Sequence, residues 1–151
     1  MFAEQLDSCE SFVLVEANKL IDVEGIGSVY AEKLKSAGAE TTKDLLKLAK
    51  TPALRKKLAE GAGIAETLIL KWANHADLMR VKGIGGEYAE LLEKIGVDTV
   101  KELAKRNLDN LHEAVEKFDL TISPIIRRKP GKDEIHAWIR QAKRLKPTLK
   151  Y

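Results

Sequence analysis

The sequence is poor in cysteine and has no long apolar run. Cys9 is the single cysteine among 151 residues, which excludes an internal disulfide framework and a four-cysteine zinc cluster and is typical of a reducing compartment. No apolar run approaches the roughly 18 residues of a membrane-spanning helix. The N-terminal residues lack the basic start and apolar stretch of a secretory signal. These absences predict a soluble, cytoplasmic protein with no membrane partner.

Residue patterns that would indicate catalysis are also missing. The histidines His75, His112 and His136 are far apart in sequence and do not form the i,i+4 pair of a helical metal site. Cys9 has no neighbouring histidine to activate it as a nucleophile. No P-loop occurs, and no nucleotide-binding G-x-G-x-x-G follows a predicted strand. We therefore expect a protein that is not an enzyme, with no catalytic residues, no metal ion and no cofactor.

Charge is balanced over the whole chain but not along it. Lys and Arg number 26 against 23 Asp and Glu, and the formal net charge of +3 excludes a uniformly basic nucleic-acid binder. Residues 1–122 carry −4, however, and residues 123–151 carry +7 (nine basic residues against two acids). Basic residues that end a helix also complement its dipole. The basic tail is therefore either an ordinary helix end or a phosphate-binding patch.

An internal repeat accounts for most of the chain. Residues 22–47 align without gaps on residues 80–105 at an offset of 58, and 13 of the 26 positions are identical. The pattern I-x-x-W-x-x-x-A of residues 69–76 recurs at residues 135–142, an offset of 66. Unrelated segments would match at far fewer positions, so the duplication is a strong signal. The second copy carries about eight extra residues, which we place within 118–132.

Each copy has the signals of four helices. Gly38 follows an apolar pattern of helical spacing at a position where a C-cap favours the left-handed backbone. Two sequences have the form of capping boxes that open a second helix. These are Thr41-x-x-Asp44 and Thr99-x-x-Glu102. We predict an all-α fold in which two pseudo-repeated units pack into one body, since strand-like alternation is confined to residues 11–15.

The repeat also identifies core residues and segment boundaries. Trp72 and Trp138 are equivalent in the two copies and are predicted to anchor the core, and Tyr30 and Tyr88 fit the core better than a base-stacking role. The predicted segments are an N-terminal arm (1–20), unit 1 (21–79), unit 2 with a basic C-terminal helix (80–146) and a tail (147–151).

A G-I-G sequence precedes the first helix of each unit, at Gly25–Gly27 and at Gly83–Gly85. Glycines allow a tight turn and a close approach of the backbone to a ligand. The helix start that follows offers N–H groups without intrahelical acceptors and a partial positive charge, a combination that suits a phosphate. The same glycines also fit hairpins whose role is purely structural, with all four residues acting as turn-makers.

The wider pattern is shared by both units, with an alanine four residues, a leucine seven residues and a glycine eleven residues after the second glycine. It resembles the helix-hairpin-helix motif over about residues 22–48 and 80–106. With its linking helices, the stretch from about 20 to 146 resembles a bacterial family of tandem helix-hairpin-helix domains with no assigned function. The resemblance implies two compact helical units whose hairpin amides bind successive nucleic-acid phosphates. It also implies a Lys or Arg at the start of the second helix.

The two hairpins differ in the residues that follow them. After the first come Ser28, whose hydroxyl suits a phosphate, and the lysines Lys33 and Lys35. After the second come Gly86 and three acids, which would repel a phosphate unless they face away. The acids are Glu87, Glu90 and Glu93. Lys82, just before the second hairpin, favours binding there, but the first hairpin is the better candidate.

The leading hypothesis is a non-catalytic module that binds nucleic-acid backbones, with DNA favoured over RNA and little sequence specificity. The predicted binding residues are Gly25, Ile26, Gly27, Ser28, Lys33, Lys35, Lys82, Gly83, Gly85, Gly86, Arg127, Arg128, Lys129, Arg140, Lys143 and Arg144. The alternative is a protein-interaction or scaffold module with structural hairpins, which docks on an acidic protein partner or self-associates. The sequence leaves the oligomeric state open. The choice depends on whether the basic tail folds beside the first hairpin.

Overall fold

The computed structural model describes residues 18–151. Most of the predicted N-terminal arm, including the alternating residues 11–15, therefore lies outside the described residues. Within them the protein is all-helical, as predicted, and extended pairing is limited to one antiparallel bridge between Lys19 and Thr41. None of the helices in this part of the chain combines the length and the apolar character needed to cross a membrane.

Eight α-helices and two short 3-10 helices make up the described part of the chain. The α-helices are α1 (Ser28–Ser36), α2 (Thr42–Leu48), α3 (Pro52–Ala62), α4 (Glu66–Leu78), α5 (Gly86–Lys94), α6 (Val100–Lys105), α7 (Leu108–Lys117) and α8 (Lys132–Arg144). The 3-10 helices, Leu20–Asp22 and Leu120–Ile122, precede α1 and follow α7. We call α1–α4 unit 1 and α5–α8 unit 2.

The helices of unit 2 recur at the offsets found in the sequence. α5 begins and ends 58 residues after α1, and α8 begins and ends 66 residues after α4. Residues 118–131 connect α7 to α8, whereas residues 63–65 suffice between α3 and α4. The extra residues of unit 2 thus lie in this longer connection, which also carries Arg127 and Arg128.

Side-chain caps start four of the α-helices. Thr41 accepts a hydrogen bond from the Asp44 N–H (3.1 Å) and the Asp44 carboxylate accepts one from the Thr41 N–H (3.2 Å), which confirms the first capping box. Thr99 accepts from the Glu102 N–H (3.2 Å). The Glu102 carboxylate, however, accepts from the N–H of Asp98 (3.0 Å), so the second cap is a variant of the predicted box. Thr51 and Asn107 cap α3 and α7.

A Thr41→Ala variant tests the contribution of the first cap. Loss of the hydroxyl leaves the Asp44 N–H without its acceptor, so we expect the free energy of unfolding to fall by about 1 kcal/mol. Thr41→Ser keeps an acceptor oxygen and is the matched control. Urea unfolding followed by circular dichroism measures both variants, and equal losses in the two would show that the cap does not stabilise α2.

The two tryptophans anchor the core, as predicted. Trp72 and Trp138 are 1% and 2% exposed. α4 packs on α2 and α3, α8 packs on α6 and α7, and α4 also packs on α5. The buried stripe of α8 consists of Ile135, Trp138, Ile139 and Ala142. The last helix of unit 1 therefore contacts the first helix of unit 2.

The C-terminal segment after α8 packs back on unit 1. The Lys150 N–H donates to the Lys50 carbonyl (2.8 Å), and Arg55 Nη2 donates to the Lys150 carbonyl (2.8 Å). The Thr148 hydroxyl donates to Asp77 Oδ1 at the end of α4 (2.9 Å). The end of unit 2 is thus tied to α3 and α4, a contact that the sequence pattern does not indicate.

Candidate functional site

Each G-I-G sequence forms a tight turn directly before a nine-residue helix. In the first hairpin the N–H of Ile26 donates to the Val23 carbonyl (3.1 Å), and Gly25 has a φ of +93°. The second hairpin repeats this hydrogen bond with the same length, and Gly83 has a φ of +99°. The left-handed backbone favours glycine, so the first glycine of each hairpin makes the turn.

A tryptophan covers each of these first glycines. A Cβ at Gly25 would lie 3.3 Å from Trp72 Nε1, and a Cβ at Gly83 would lie 2.9 Å from Trp138 Nε1. Because both indoles are buried, they have little room to move away. The first glycine of each hairpin is therefore required by the fold twice, once by its backbone conformation and once by the packing above it.

The second glycine of each hairpin is not a turn-maker, which corrects the expectation for all four glycines. Gly27 and Gly85 are the N-caps of α1 and α5, with φ values of −86° and −99° that other residues also adopt. A Cβ at either position would meet nothing within 4 Å. Both glycines are exposed, whereas Ile26 is buried and can offer a ligand only its backbone.

The helices that follow the hairpins start without side-chain caps. The first helical hydrogen bond of α1 runs from the Ala31 N–H to the Gly27 carbonyl (2.9 Å), and the equivalent bond starts α5 (2.9 Å). The N–H groups before Ala31 therefore lack intrahelical acceptors. Among the other described helices, α4 also starts without a side-chain cap, at Ala65. α8 likewise starts at an exposed glycine, Gly131, but the Glu134 carboxylate accepts from the Gly131 N–H (2.8 Å). α1 and α5 share an exposed N-cap glycine whose N–H has no such carboxylate acceptor among the described residues.

An open cleft of about 470 Å³ lies against the second hairpin. It lies between the start of α5 and the long connection that leads into α8. The lining residues are Gly83, Gly85, Gly86, Glu87, Tyr88, Arg127 and Arg128. The structure thus brings five of the predicted binding residues, three glycines and two arginines, around one cleft.

Carboxylates hold both arginines of the cleft. Glu87 accepts from Arg127 Nη2 (2.6 Å), from its Nε (3.2 Å) and from its backbone N–H (3.0 Å). Arg128 donates two hydrogen bonds to Glu134 (2.9 and 3.0 Å). These side-chain hydrogen bonds lower the pKa of both carboxyl groups and raise the pKa of both guanidinium groups. The Arg127 side chain is still 82% exposed, so a ligand can reach it.

The tyrosines pack against the tryptophans, as expected for core residues. The ring centroids of Tyr30 and Trp72 are 5.0 Å apart, and those of Tyr88 and Trp138 are 5.3 Å apart. Burial raises the pKa of Tyr88. The Arg128 guanidinium lies 5.9 Å from the Tyr88 ring centroid, so this tyrosine also forms part of the cleft wall.

The basic C-terminal helix lies beside the second hairpin, whereas the sequence hypothesis required it beside the first. Gln141 of α8 accepts from the Lys82 N–H (3.0 Å) and donates to the Lys82 carbonyl (3.1 Å), directly before Gly83. Arg140, Lys143 and Arg144 are the exposed predicted cations of this helix. Lys129 instead donates to the Glu116 carbonyl at the end of α7 (2.5 Å). The second hairpin therefore has the basic helix α8 attached to it and two arginines beside it, each paired with a carboxylate.

The first hairpin is followed on α1 by exposed polar and basic residues. Ser28, Lys33 and Lys35 are exposed on α1, and Lys33 Nζ lies 5.8 Å from the centroid of the Tyr30 ring that packs on Trp72. Two apolar side chains near this hairpin are exposed, Ile21 by 54% and Val29 by 67%. At the position equivalent to Val29, unit 2 has Glu87.

Gly86 lies where the two hairpins meet. A Cβ at Gly86 would lie 2.5 Å from the Asp22 carbonyl oxygen and 3.6 Å from the Glu24 backbone nitrogen. This close approach explains why unit 2 has glycine where unit 1 has Ser28, since any side chain would push the hairpins apart. The α-carbon of this predicted binding residue faces protein, which leaves its backbone for a ligand.

The three acids of α5 do not share one face. Glu87 lines the cleft, while Glu90 and Glu93 contact His75 on α4. Two of the three charges that we expected to repel a phosphate are therefore directed toward α4. Sequence reasoning missed the His75 contact because its partner Glu93 is 18 residues away on another helix. The only sequence signal for this contact was the i,i+3 spacing of Glu90 and Glu93.

The fold and the site together define an all-helical protein with an internal repeat and a glycine hairpin before a bare helix start in each copy. The chain belongs to the family described as a domain of unknown function, DUF4332, whose model matches residues 24–145. This match includes both hairpins and ends just after α8. No curated protein and no solved structure matches the chain.

Proposed function

We propose that the protein is a non-catalytic nucleic-acid-binding module and that its hairpins are of the helix-hairpin-helix type. α4 precedes the second hairpin and α5 follows it, which is the element order of that motif. The starts of α1 and α5 donate backbone N–H groups to phosphates, and such contacts carry little sequence information. The basic helix α8 lies beside the second hairpin, whereas the sequence hypothesis required it beside the first, so we move the main contact to the second hairpin.

This proposal rests mainly on Gly27 and Gly85, the N-cap glycines that have no side chain to accept from the first N–H groups of α1 and α5. Neither the backbone conformation nor the packing requires glycine at these positions. Ser, Asp or Asn at an N-cap would satisfy an N–H group of the helix with its own side chain. A glycine leaves these groups to an external acceptor and lets that acceptor come close to the backbone. A phosphate oxygen fits both conditions.

Positive charge beside the second hairpin supports the same proposal. Arg127 and Arg128 line the cleft, Lys82 precedes the hairpin, and the exposed cations of α8 lie on the helix that Gln141 attaches to it. The Glu87 carboxylate accepts two side-chain hydrogen bonds from Arg127, and a bound phosphate would accept the same kind of hydrogen bonds. A nucleic-acid phosphate therefore competes with an internal carboxylate, which weakens binding without abolishing it.

We expect duplex DNA to bind weakly and with a steep dependence on salt. For about four to six phosphate contacts, the slope of log affinity against log salt should be about −4 to −5. Glu87→Gln removes the competing charge and should raise the affinity about threefold, a small factor because the ion pair with Arg127 is exposed and therefore weak. The double variant Arg127→Gln with Arg128→Gln should weaken binding. It should also make the salt dependence less steep, by the amount that corresponds to about two phosphate contacts. Fluorescence anisotropy at two salt concentrations measures all three.

A matched double variant controls for net charge. Lys56→Gln with Lys57→Gln removes the same charge from exposed positions of α3 that do not line the cleft. It should bind DNA almost as the unmodified protein does. Absence of binding at low salt, or equal loss in the two double variants, contradicts the proposal. The same titration with duplex RNA and with single strands identifies the preferred nucleic acid.

A protein-interaction module is the second candidate, favoured by the exposed apolar side chains Ile21 and Val29 at the first hairpin. It predicts purified protein free of nucleic acid and no DNA binding at low salt. If these side chains form an interface between copies, sedimentation should show self-association that is lost in Val29→Ser. The result with DNA decides between the two candidates.

A further inference from the structure

A histidine and two carboxylates converge where the two units meet. His75 of α4 is completely buried, and its Nε2 lies 3.0 Å from Glu93 Oε1 and 3.8 Å from Glu90 Oε1 on α5. One ligand atom from each of the three residues lies within 4.8 Å of the others. The Glu90 and Glu93 side chains are 9% and 27% exposed, so the cluster is deep but open to solvent on one side.

One carboxylate oxygen in this cluster has no partner. Glu90 Oε1 is buried and accepts no hydrogen bond from residues 18–151, although it points toward the imidazole. Leaving a buried charged oxygen without a hydrogen bond or a cation is costly. The other Glu90 oxygen lies 3.6 Å from Lys94 Nζ, and Glu93 Oε1 lies 3.8 Å from Lys71 Nζ. Both lysine side chains are at the surface edge of the cluster and leave its centre to another cation.

The repeat shows that these residues are not needed by the unit fold itself. His75 is equivalent to Gln141, which binds the Lys82 backbone in unit 2, and Glu93 is equivalent to the exposed Lys35. Glu90 has a glutamate as its counterpart, Glu32, but that side chain is exposed on α1. The cluster is thus a property of the contact between the units.

We propose that His75, Glu90 and Glu93 form a site for one divalent transition-metal ion of the zinc class. One imidazole nitrogen and two carboxylate oxygens are ligands that Zn²⁺ accepts, with water completing a tetrahedron. Bonds of about 2.0–2.1 Å place such ligands about 3.4 Å apart, so the separations of 3.0 and 3.8 Å need little adjustment. Binding through Nε2 requires the neutral imidazole tautomer that carries its proton on Nδ1, so that the Nε2 lone pair is available to the ion. The ion then links α4 of unit 1 to α5 of unit 2.

The site should bind in the micromolar range. His75 Nδ1 has no acceptor among the described residues, whereas metal-binding histidines usually donate their second N–H, a contact worth about 10–100-fold in affinity. The two lysines compete further with the ion. Lys94→Met removes one competitor and should tighten binding.

Titration of the chelator-treated protein with Zn²⁺ tests the proposal. Calorimetry should give one ion per chain. At a concentration of Zn²⁺ 100-fold above the dissociation constant, the midpoint of thermal unfolding should rise by about 5–10 °C. Glu93→Gln, at the more exposed ligand, should fold normally and lose affinity by about tenfold or more. Glu32→Gln, the repeat counterpart of Glu90, should bind as the unmodified protein does.

Two controls make the assignment specific. Cys9→Ser should leave binding unchanged, and Co²⁺ should give visible absorption bands that are weaker in Glu93→Gln at the same Co²⁺ concentration. Absence of stoichiometric binding would show that the cluster is only a hydrogen-bonded contact between the units. Unchanged affinity in both Glu93→Gln and Glu90→Gln, or loss of binding in Cys9→Ser, equally overturns the proposal.

Discussion

Asp77→Ala should cost about 3–5 kcal/mol of unfolding free energy, the loss that follows when one partner of a buried charged network is removed. The Asp77 side chain is 4% exposed at the end of α4. It accepts from the Val100 N–H (2.8 Å), from Arg80 Nη1 (2.7 Å) and from the Thr148 hydroxyl (2.9 Å). One carboxylate therefore caps α6 of unit 2, holds Arg80 and fixes the C-terminal segment. Its removal leaves all three donors without their acceptor.

Asp77→Asn removes the negative charge of this side chain but keeps its size, so it shows how much of the loss is due to the charge. The amide keeps one acceptor oxygen but brings an NH₂ group against the remaining donors, so we expect a smaller loss than in the alanine variant. Chemical unfolding gives the free energies, and hydrogen exchange should show faster opening at Val100 than in the core of α8. A loss below about 1 kcal/mol in Asp77→Ala would mean that water replaces the carboxylate and that the network does not hold the units together.

The local part of the fold could be predicted because its causes are local. The cap at Thr41, the left-handed turn at Gly38 (φ of +101°) and the burial of Trp72 each depend on neighbouring residues or on helical periodicity. The sequence repeat then predicted the helices of unit 2 from the equivalent positions in unit 1. The capping box at Thr99 differs in one detail, because the Glu102 carboxylate accepts from the Asp98 N–H and the Thr99 hydroxyl but not from the Thr99 N–H.

Contacts between the units could not be predicted, because no local pattern encodes them. Arg127 is 40 residues from Glu87, and Thr148 is 71 residues from Asp77. For the same reason, the sequence could not show which hairpin the basic segment accompanies. The hairpin that is followed by three acids in sequence has the basic helix α8 and two arginines of the long connection beside it in the structure. Two of its acids contact α4, and the third pairs with an arginine from the long connection.

Gly83→Ala should destabilise the protein by about 2–4 kcal/mol, whereas Gly85→Ala should cost no more than about 1 kcal/mol. Gly83 combines a φ of +99° with an approach of 2.9 Å between a new Cβ and Trp138 Nε1. At Gly85 the φ is −99° and a Cβ meets nothing within 4 Å. Gly25→Ala should cost less than Gly83→Ala, because its clash distance is 3.3 Å.

The same glycines separate the role of the hairpin in folding from its role in binding. If phosphates approach the bare backbone at Gly85, a methyl group there blocks them, so Gly85→Ala should lose DNA affinity while its unfolding free energy changes little. Thermal unfolding and DNA titration on the same samples of Gly83→Ala and Gly85→Ala measure both quantities. A Gly85→Ala variant that binds DNA normally would leave this glycine without a binding role and would favour hairpins that are only structural.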